Sequence, residues 1–393
     1  MKIGIDIRSI GKRRTGDEVY TLNLIKNLLE IDKENQYFFY TNTKEASILN
    51  KIKKTIDPAR GFQNYRIVSV LPASKALWTF WSLPLYLIKN PVDILHVQYI
   101  TPFFLPRGIK LITTIHDVSF AVLPQLIDRK DLFFLRTLIP LSLKRADKVI
   151  AVSDFTKKEI EKYYKIEATK IERVYNGVSE DYFKTELTTE RANQIKKKYN
   201  IRQPFIFYVG TLQPRKNIPF LLKTFDKLKQ EGKTEDKIKR LTLVLSGKRY
   251  GRNYDKLIEK TLSEIKKSNP EVIKDINFIG FVDDEDLVFL YKMAQAVVLP
   301  SFYEGFGLPA IEAMASGSPV IHNSSSCFQE ITQGAGLSFE NGNRDDFTKK
   351  IFDSIINLKL RNNLITKGRQ RALFFNWKKC AMETLAIYKK IYF

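Results

Sequence analysis

Chemistry-capable residues are densest in the tract Pro300-Ser301-Phe302-Tyr303-Glu304-Gly305-Phe306-Gly307-Leu308-Pro309-Ala310-Ile311-Glu312. Two carboxylates, Glu304 and Glu312, stand eight positions apart around a turn that carries two glycines. Gly305 and Gly307 let backbone N–H groups approach a ligand closely, and the start of a helix favours an anion there. Carboxylates would repel a phosphate, but they accept hydrogen bonds from sugar hydroxyls. The pattern suits a ligand with a sugar on each side of a diphosphate, the shape of a nucleotide-sugar. Cations for the phosphates are offered by Gly210-Thr211-Leu212-Gln213-Pro214-Arg215-Lys216-Asn217. Arg215 and Lys216 follow a strand and precede a helix, where they can neutralise a diphosphate leaving group as its charge develops.

Other reactive side chains are few. Of the three histidines, His96 and His322 read as structural, whereas His116 ends an apolar strand pattern, where parallel sheets bind ligands. Asp117 reads as a residue that orders the loop. Two cysteines, Cys327 and Cys380, cannot form a disulfide framework or a zinc cluster, and no metal-ligand spacing occurs. Asp283-Asp284-Glu285-Asp286 precedes a helical pattern and reads as an N-terminal capping cluster that favours the helix dipole, so no metal is expected.

The elements that must position these groups alternate in type. Short apolar runs at Lys2–Ile7, Tyr37–Tyr40, Arg66–Val70, Ile94–Val97, Lys110–Ile115, Lys148–Val152 and Ile171–Val174 are separated by helical patterns. A polar stretch over 185–200 interrupts the series. It restarts at Phe205–Val209, Leu241–Ser246, Ile276–Ile279, Ala296–Leu299 and Pro319–His322. Such alternation predicts parallel sheets with crossover helices. The expected architecture is α/β, two doubly wound Rossmann-like domains facing a cleft. They span 1–190 and 191–375, and a final helix over 376–393 returns to the first. Pro309 and Gly317 bracket the helix that follows the glutamate loop, as proline at a helix start and glycine past its end should.

Length and composition agree: 393 residues, 44% hydrophobic and 12% aromatic, exclude wholesale disorder, while the net charge is +22. Residues 51–150 hold 15 basic and 6 acidic groups together with Trp78, Trp81 and Phe133. Lys75, Lys89 and Arg145 flank the aromatic runs, and this window is read as a candidate contact with an anionic membrane surface. The start MKIGIDIRSIG lacks a signal-like apolar segment, and no apolar run reaches a spanning length of ~18 residues. The expected location is the cytoplasm, with peripheral contact at the inner face of the cell membrane.

The tract Ile279–Glu330 and the loop Gly210–Asn217 resemble retaining glycosyltransferases of family 4, mannosyltransferase-like members of group 1. So do Gly280-Phe281-Val282, Ile115-His116-Asp117, Val152-Ser153-Asp154-Phe155-Thr156 and Asn176-Gly177-Val178. The resemblance implies the GT-B fold with the donor held mainly by the second domain. It implies Glu304 on the hydroxyls of the transferred sugar, Glu312 on the ribose, and Arg215 and Lys216 on the diphosphate. Gly210, Gly305 and the backbone around Phe306, Gly307 and Leu308 complete the donor pocket. His116 is placed near sugar and acceptor, and Gly16 beside the phosphates when the domains close. The reaction implied is metal-independent hexose transfer, with GDP-mannose favoured over a UDP-hexose as substrate and no cofactor. The acceptor would be a glycan or polyprenyl-linked saccharide of the cell envelope. Departures from the family pattern are Thr211 for an arginine, Ser179 for an aspartate, and Cys327-Phe328-Gln329 without the usual proline. A sugar-nucleotide epimerase of similar fold and a nucleic-acid-binding protein are the alternatives. The first fits Glu304 and Glu312 less well, and the second lacks any nucleic-acid-binding motif.

Overall fold

The structure is a computed structural model that describes residues 1–11, 15–59, 61–72, 74, 77–251 and 253–393. Lys75 lies outside the described residues. The chain forms two compact units, Met1–Val122 with Arg129–Gly177 and Asn376–Phe393, and Leu123–Asp128 with Val178–Phe375.

The first unit is built on a seven-stranded parallel sheet in the order β3-β2-β1-β4-β5-β6-β7. Its strands are β1 (Lys2–Asp6), β2 (Gln36–Thr41), β3 (Tyr65–Ser69), β4 (Ile94–Gln98), β5 (Lys110–Ile115), β6 (Lys148–Ala151) and β7 (Ile171–Arg173). Ile3 sits between Tyr37 of β2 and Ile94 of β4 in register, so strand order reverses beside β1. The central strands are apolar on both faces because helices cover both, as parallel sheets require. One layer is the helix Gly16–Ile31, capped by Thr15. Gly16 is thus the first residue of the helix, whereas the sequence pattern starts it near Glu18.

The last helix, Trp377–Tyr392, packs on Gly16–Ile31, with the Trp377 and Tyr20 rings 6.4 Å apart. Gly177 explains the Asn-Gly-Val motif. A Cβ there would lie 2.2 Å from the Trp377 backbone nitrogen, so only glycine lets the returning chain pass.

The second unit has a six-stranded parallel sheet in the order β10-β9-β8-β11-β12-β13. The strands are β8 (Phe205–Val209), β9 (Thr242–Ser246), β10 (Ile276–Gly280), β11 (Ala296–Leu299), β12 (Val320–Asn323) and β13 (Leu337–Phe339). Its core gathers Ile206, Tyr208, Leu222, Phe225, Leu243, Val298 and Phe347. β13 carries no signal in the sequence: three residues between Gly336 and a polar turn are too short for periodicity to show.

The polar stretch over 185–200 contains the helix Thr189–Lys198, capped by Thr188. Its Arg191 donates to Asp286 Oδ1 at 2.7 Å, and Lys198 pairs with both Asp283 and Asp286. The acidic run stands at a helix N-terminus as expected, with Asp283 at the N-cap and Asp284, Glu285 and Asp286 in the first turn of helix Asp284–Met293. Asp283 makes no side-chain capping hydrogen bond, and Asp286 is buried as the anchor for Arg191, Lys198 and the Tyr199 hydroxyl.

Candidate active site

In the second unit, strand order reverses between β8 and β11, which pair directly through Ala296 with Ile206 and Val297 with Phe207. The loops leaving their C-terminal ends, 210–217 and 300–307, therefore lie side by side. A switch point of this kind is where open parallel sheets hold ligands. Three hydrogen bonds to main-chain carbonyls help tie the loops together. The Phe302 amide donates to the Arg215 carbonyl at 2.9 Å, Arg215 Nη1 to the Tyr303 carbonyl at 3.1 Å, and Asn217 Nδ2 to the Pro300 carbonyl at 3.4 Å.

Local sequence sets each loop. Pro214–Lys216 is a single 3₁₀ turn, and Asn217 takes φ 57° to leave it and start helix Ile218–Glu231. Asparagine tolerates that left-handed conformation better than most residues. In the other loop Gly307 takes φ 83° ahead of helix Leu308–Ser316. A Cβ at Gly307 would also lie 2.7 Å from the Phe328 ring, so shape and space both demand glycine. Pro309 stands at the second helical position, where its missing N–H costs nothing. Gly317 ends the helix at φ 82°, as its place in the sequence predicts.

Glu304 is the centre of the cluster. Lys216 Nζ donates to Oε1, Arg215 Nη1 approaches Oε2 at 3.4 Å, and Ser301 Oγ donates to Oε1 at 2.8 Å. Burial alone would raise the carboxyl's pKa, yet the Lys216 and Arg215 charges, with the hydrogen bonds from Lys216 and Ser301, hold it below the usual carboxylate value. Glu304 is therefore ionised at neutral pH. Two cations thus meet one carboxylate in this cluster.

Glu312 lies in helix Leu308–Ser316, buried, with Oε2 accepting from the Tyr291 hydroxyl at 2.8 Å. Gly210, Gly247 and Gly280 close the strand ends on the other side. The Gly210 amide donates to the Ser246 carbonyl and the Gly247 amide to the Gly280 carbonyl. A Cβ on Gly247 would strike the Gly210 carbonyl oxygen at 2.3 Å. Gly305, Phe306 and Leu308 lie in and just after the glutamate loop, with the Phe306 ring packed edge-on to Phe375 at 5.6 Å.

In the first unit, His116 follows β5. Its Nε2 is 2.8 Å from Gln98 Oε1, and its ring meets Tyr20 edge-on at 4.8 Å. Gln98 spends its amide N–H on Thr21 Oγ1, so its oxygen faces the imidazole and His116 Nε2 carries the proton. Burial lowers the His116 pKa, and the Asp17 and Asp117 charges pull the other way, with burial the larger effect. Asp117 accepts from the Ser119 amide and hydroxyl, which is the loop-ordering part expected of it. Gly16 has no described atom within 4 Å of its Cβ position, so among the described residues of this unit nothing requires glycine there.

Sequence reasoning gave no role to Ser301 or Gln98 and no partner to Tyr291 or Asp286. Ser301 alone left a local signal, a hydroxyl three residues before the glutamate in one tight loop. The others reach their partners only through the fold.

The profile described as Glycosyl transferases group 1 matches residues 191–371, and that described as Glycosyltransferase Family 4 matches residues 15–182. O-antigen chain mannosyltransferase B of Escherichia coli is 32% identical over 292 residues, 73% of this chain and 72% of that one. This chain is a family 4 glycosyltransferase. A second relative of the glycosyltransferase, O-antigen chain mannosyltransferase RfbU of Salmonella typhimurium, is 26% identical over 84% of this chain and 85% of its own. Among solved structures, Anabaena HepE in complex with UDP-glucose superposes with a TM-score of 0.73 at 14% identity, covering 99% of this chain and all of that one. The glycosyltransferase thus has the α/β GT-B fold expected from its motifs, two Rossmann-like domains in one chain.

Proposed function

We propose that the enzyme transfers mannose from GDP-mannose to a hydroxyl of a glycan or lipid-linked saccharide in cell-envelope polysaccharide synthesis, with retention at the anomeric carbon. The observation that carries the donor reading is the convergence of Arg215 and Lys216 on Glu304, which sets cations for a diphosphate against an acceptor for sugar hydroxyls. The mannose assignment is supported by the names of the two relatives, both O-antigen chain mannosyltransferases. HepE was solved with UDP-glucose, so a UDP-hexose is the rival donor.

In this reading the donor diphosphate takes up the positive charge of Arg215 and Lys216. Glu304 then accepts hydrogen bonds from the sugar, and Glu312, held by Tyr291, meets the ribose. The backbone of Gly210, Gly305, Phe306, Gly307 and Leu308 lines the pocket within the second unit. The bond from the anomeric carbon to the phosphate oxygen breaks as the acceptor oxygen attacks the same face. The acceptor proton passes to that phosphate oxygen, and positioning and charge stabilisation supply the rate. A ligand that binds only the folded state raises its melting midpoint. In a panel of GDP-, UDP- and ADP-sugars at equal concentration, GDP-mannose is expected to raise it most. A larger shift with UDP-glucose and none with GDP-mannose overturns the donor, and unimpaired transfer by Glu304→Ala overturns the site.

A further inference from the structure

The first unit exposes large apolar side chains on three neighbouring elements. Leu77, Trp81, Leu85 and Ile88 follow one another at spacings of four, four and three, a single stripe on a helix, and Trp81 is 56% exposed. Trp78 belongs to the opposite side. It is fully buried, with the Arg8 guanidinium 3.8 Å over its ring. That corrects its reading as a surface aromatic. In a regular helix, residues three apart are neighbours on one face. Here the turn Trp78–Ser82 is widened, the Leu83 amide donating to the Trp78 carbonyl five residues back. The wider turn swings Trp81 outward while Trp78 fills the core, and such π-turns recur at functional positions.

The stripe continues across two further elements. Phe80 stacks on Phe103 at 4.0 Å, and Trp81 meets Phe104 edge-on at 6.1 Å. On the far side of that loop, Arg145 donates to the Phe103 carbonyl, and the Thr101 amide donates to Ser142 Oγ at 2.9 Å. These bonds join the loop to helix Arg129–Arg145, which exposes Phe133 at 68%, with Phe134 and Leu141. Exposed cations on the same elements are Lys89, Arg107, Arg136, Lys144 and Arg145. Aromatic rings among cations match the headgroup layer of a bilayer, which takes amphipathic rings and attracts basic side chains. A second copy of the chain would instead bring two sets of cations together. Among the described residues no helix is long and apolar enough to cross a membrane, so the contact would be peripheral.

We propose that this face docks the enzyme on an anionic lipid bilayer surface. Trp81 and Phe133 enter the interface, and Lys89, Arg107 and Lys144 meet the headgroups. The inference stands on the first unit alone. Vesicle binding is read without donor or acceptor, so its failure is distinguishable from failure of the donor assignment.

The test is co-sedimentation of the full chain with phosphatidylcholine vesicles, with and without added phosphatidylglycerol, alongside tryptophan fluorescence. Binding is expected only with phosphatidylglycerol and is expected to weaken with salt. Trp78 and Trp377 are buried, so any blue shift on binding comes from Trp81 and is expected to vanish in Trp81→Phe. Lys89→Glu with Lys144→Glu should weaken binding roughly fivefold or more per site, and Trp81→Ser with Phe133→Ser should lower the bound fraction further. Melting midpoints and transfer to a soluble acceptor should stay at wild-type values in all of these. No binding by the wild type, equal binding to neutral vesicles, or unchanged binding by these variants overturns the proposal. So does a concentration-dependent dimer that Trp81→Ser abolishes, which would assign the face to a second copy.

Discussion

Lys216, in the loop after β8, forms an ion pair with Glu304, in the loop after β11, although 88 residues separate them. The pair joins two strand ends and prearranges opposite charges. A diphosphate would draw on the cations, and a sugar hydroxyl on the carboxylate, so one ligand satisfies both.

Glu304→Gln keeps the shape and removes the charge. Transfer should fall on the order of 10²-fold, the usual scale for losing a preorganised polar group at a reacting centre. Nucleotide binding should hold or strengthen, because Arg215 and Lys216 lose their internal counter-charge. Initial rates beside calorimetric titration with GDP check both, and a rate within threefold of wild type would contradict the site.

Ser301 is fully buried and donates to Glu304 Oε1, which makes it a positioning residue. Ser301→Ala is expected to lower kcat roughly tenfold, the worth of one hydrogen bond to a charged group, with donor KM little changed. The hydrogen bond also helps keep the Glu304 carboxyl low. The acid limb of the rate profile should therefore move to higher pH in the variant, a shift that a purely structural defect would not cause.

Two left-handed glycines should respond unequally to alanine. Gly317→Ala should cost about 1–2 kcal/mol for the backbone alone, because the nearest group to its Cβ is the movable Arg369 side chain at 3.1 Å. Gly307→Ala carries the same backbone strain and presses on the buried Phe328 ring, so its loss should be larger. Urea midpoints at matched slope measure the difference, and equal losses would show that Phe328 gives way freely.

Stability should fall with acid through the histidines. Burial, with the nearby His116, pushes the His96 pKa down to about 3 in the folded chain, against 6.5 in the unfolded one. Between those values the unfolded state binds the extra proton. The neutral ring thus contributes fully above pH 6.5, and the contribution is lost as pH falls towards 3. One proton corresponds to a slope of about 1.4 kcal/mol per pH unit. His96→Gln should flatten the curve of stability against pH in that window, and denaturant titrations from pH 7 to 4 would reveal an unchanged slope.

The amino-acid order by itself determined the strands and helices wherever apolar residues recur with a regular period, from Lys110–Ile115 to Phe205–Val209. It also determined the left-handed turns that only glycine fits, at Gly307 and Gly317, and the residue types of a donor site. Those are local properties, governed by backbone sterics and burial along a few consecutive residues. Leu337–Phe339 escaped because three residues hold no period. Tertiary structure alone decided which charges meet. The reversal of strand order sets β8 beside β11 and so brings Lys216 and Arg215 onto Glu304 with no trace in their spacing. The burial of Asp286 under Arg191 and Lys198 depends in the same way on helix packing. Facing was equally hidden. One widened turn sends Trp78 inward and Trp81 outward, and periodicity cannot register a change in the residues per turn.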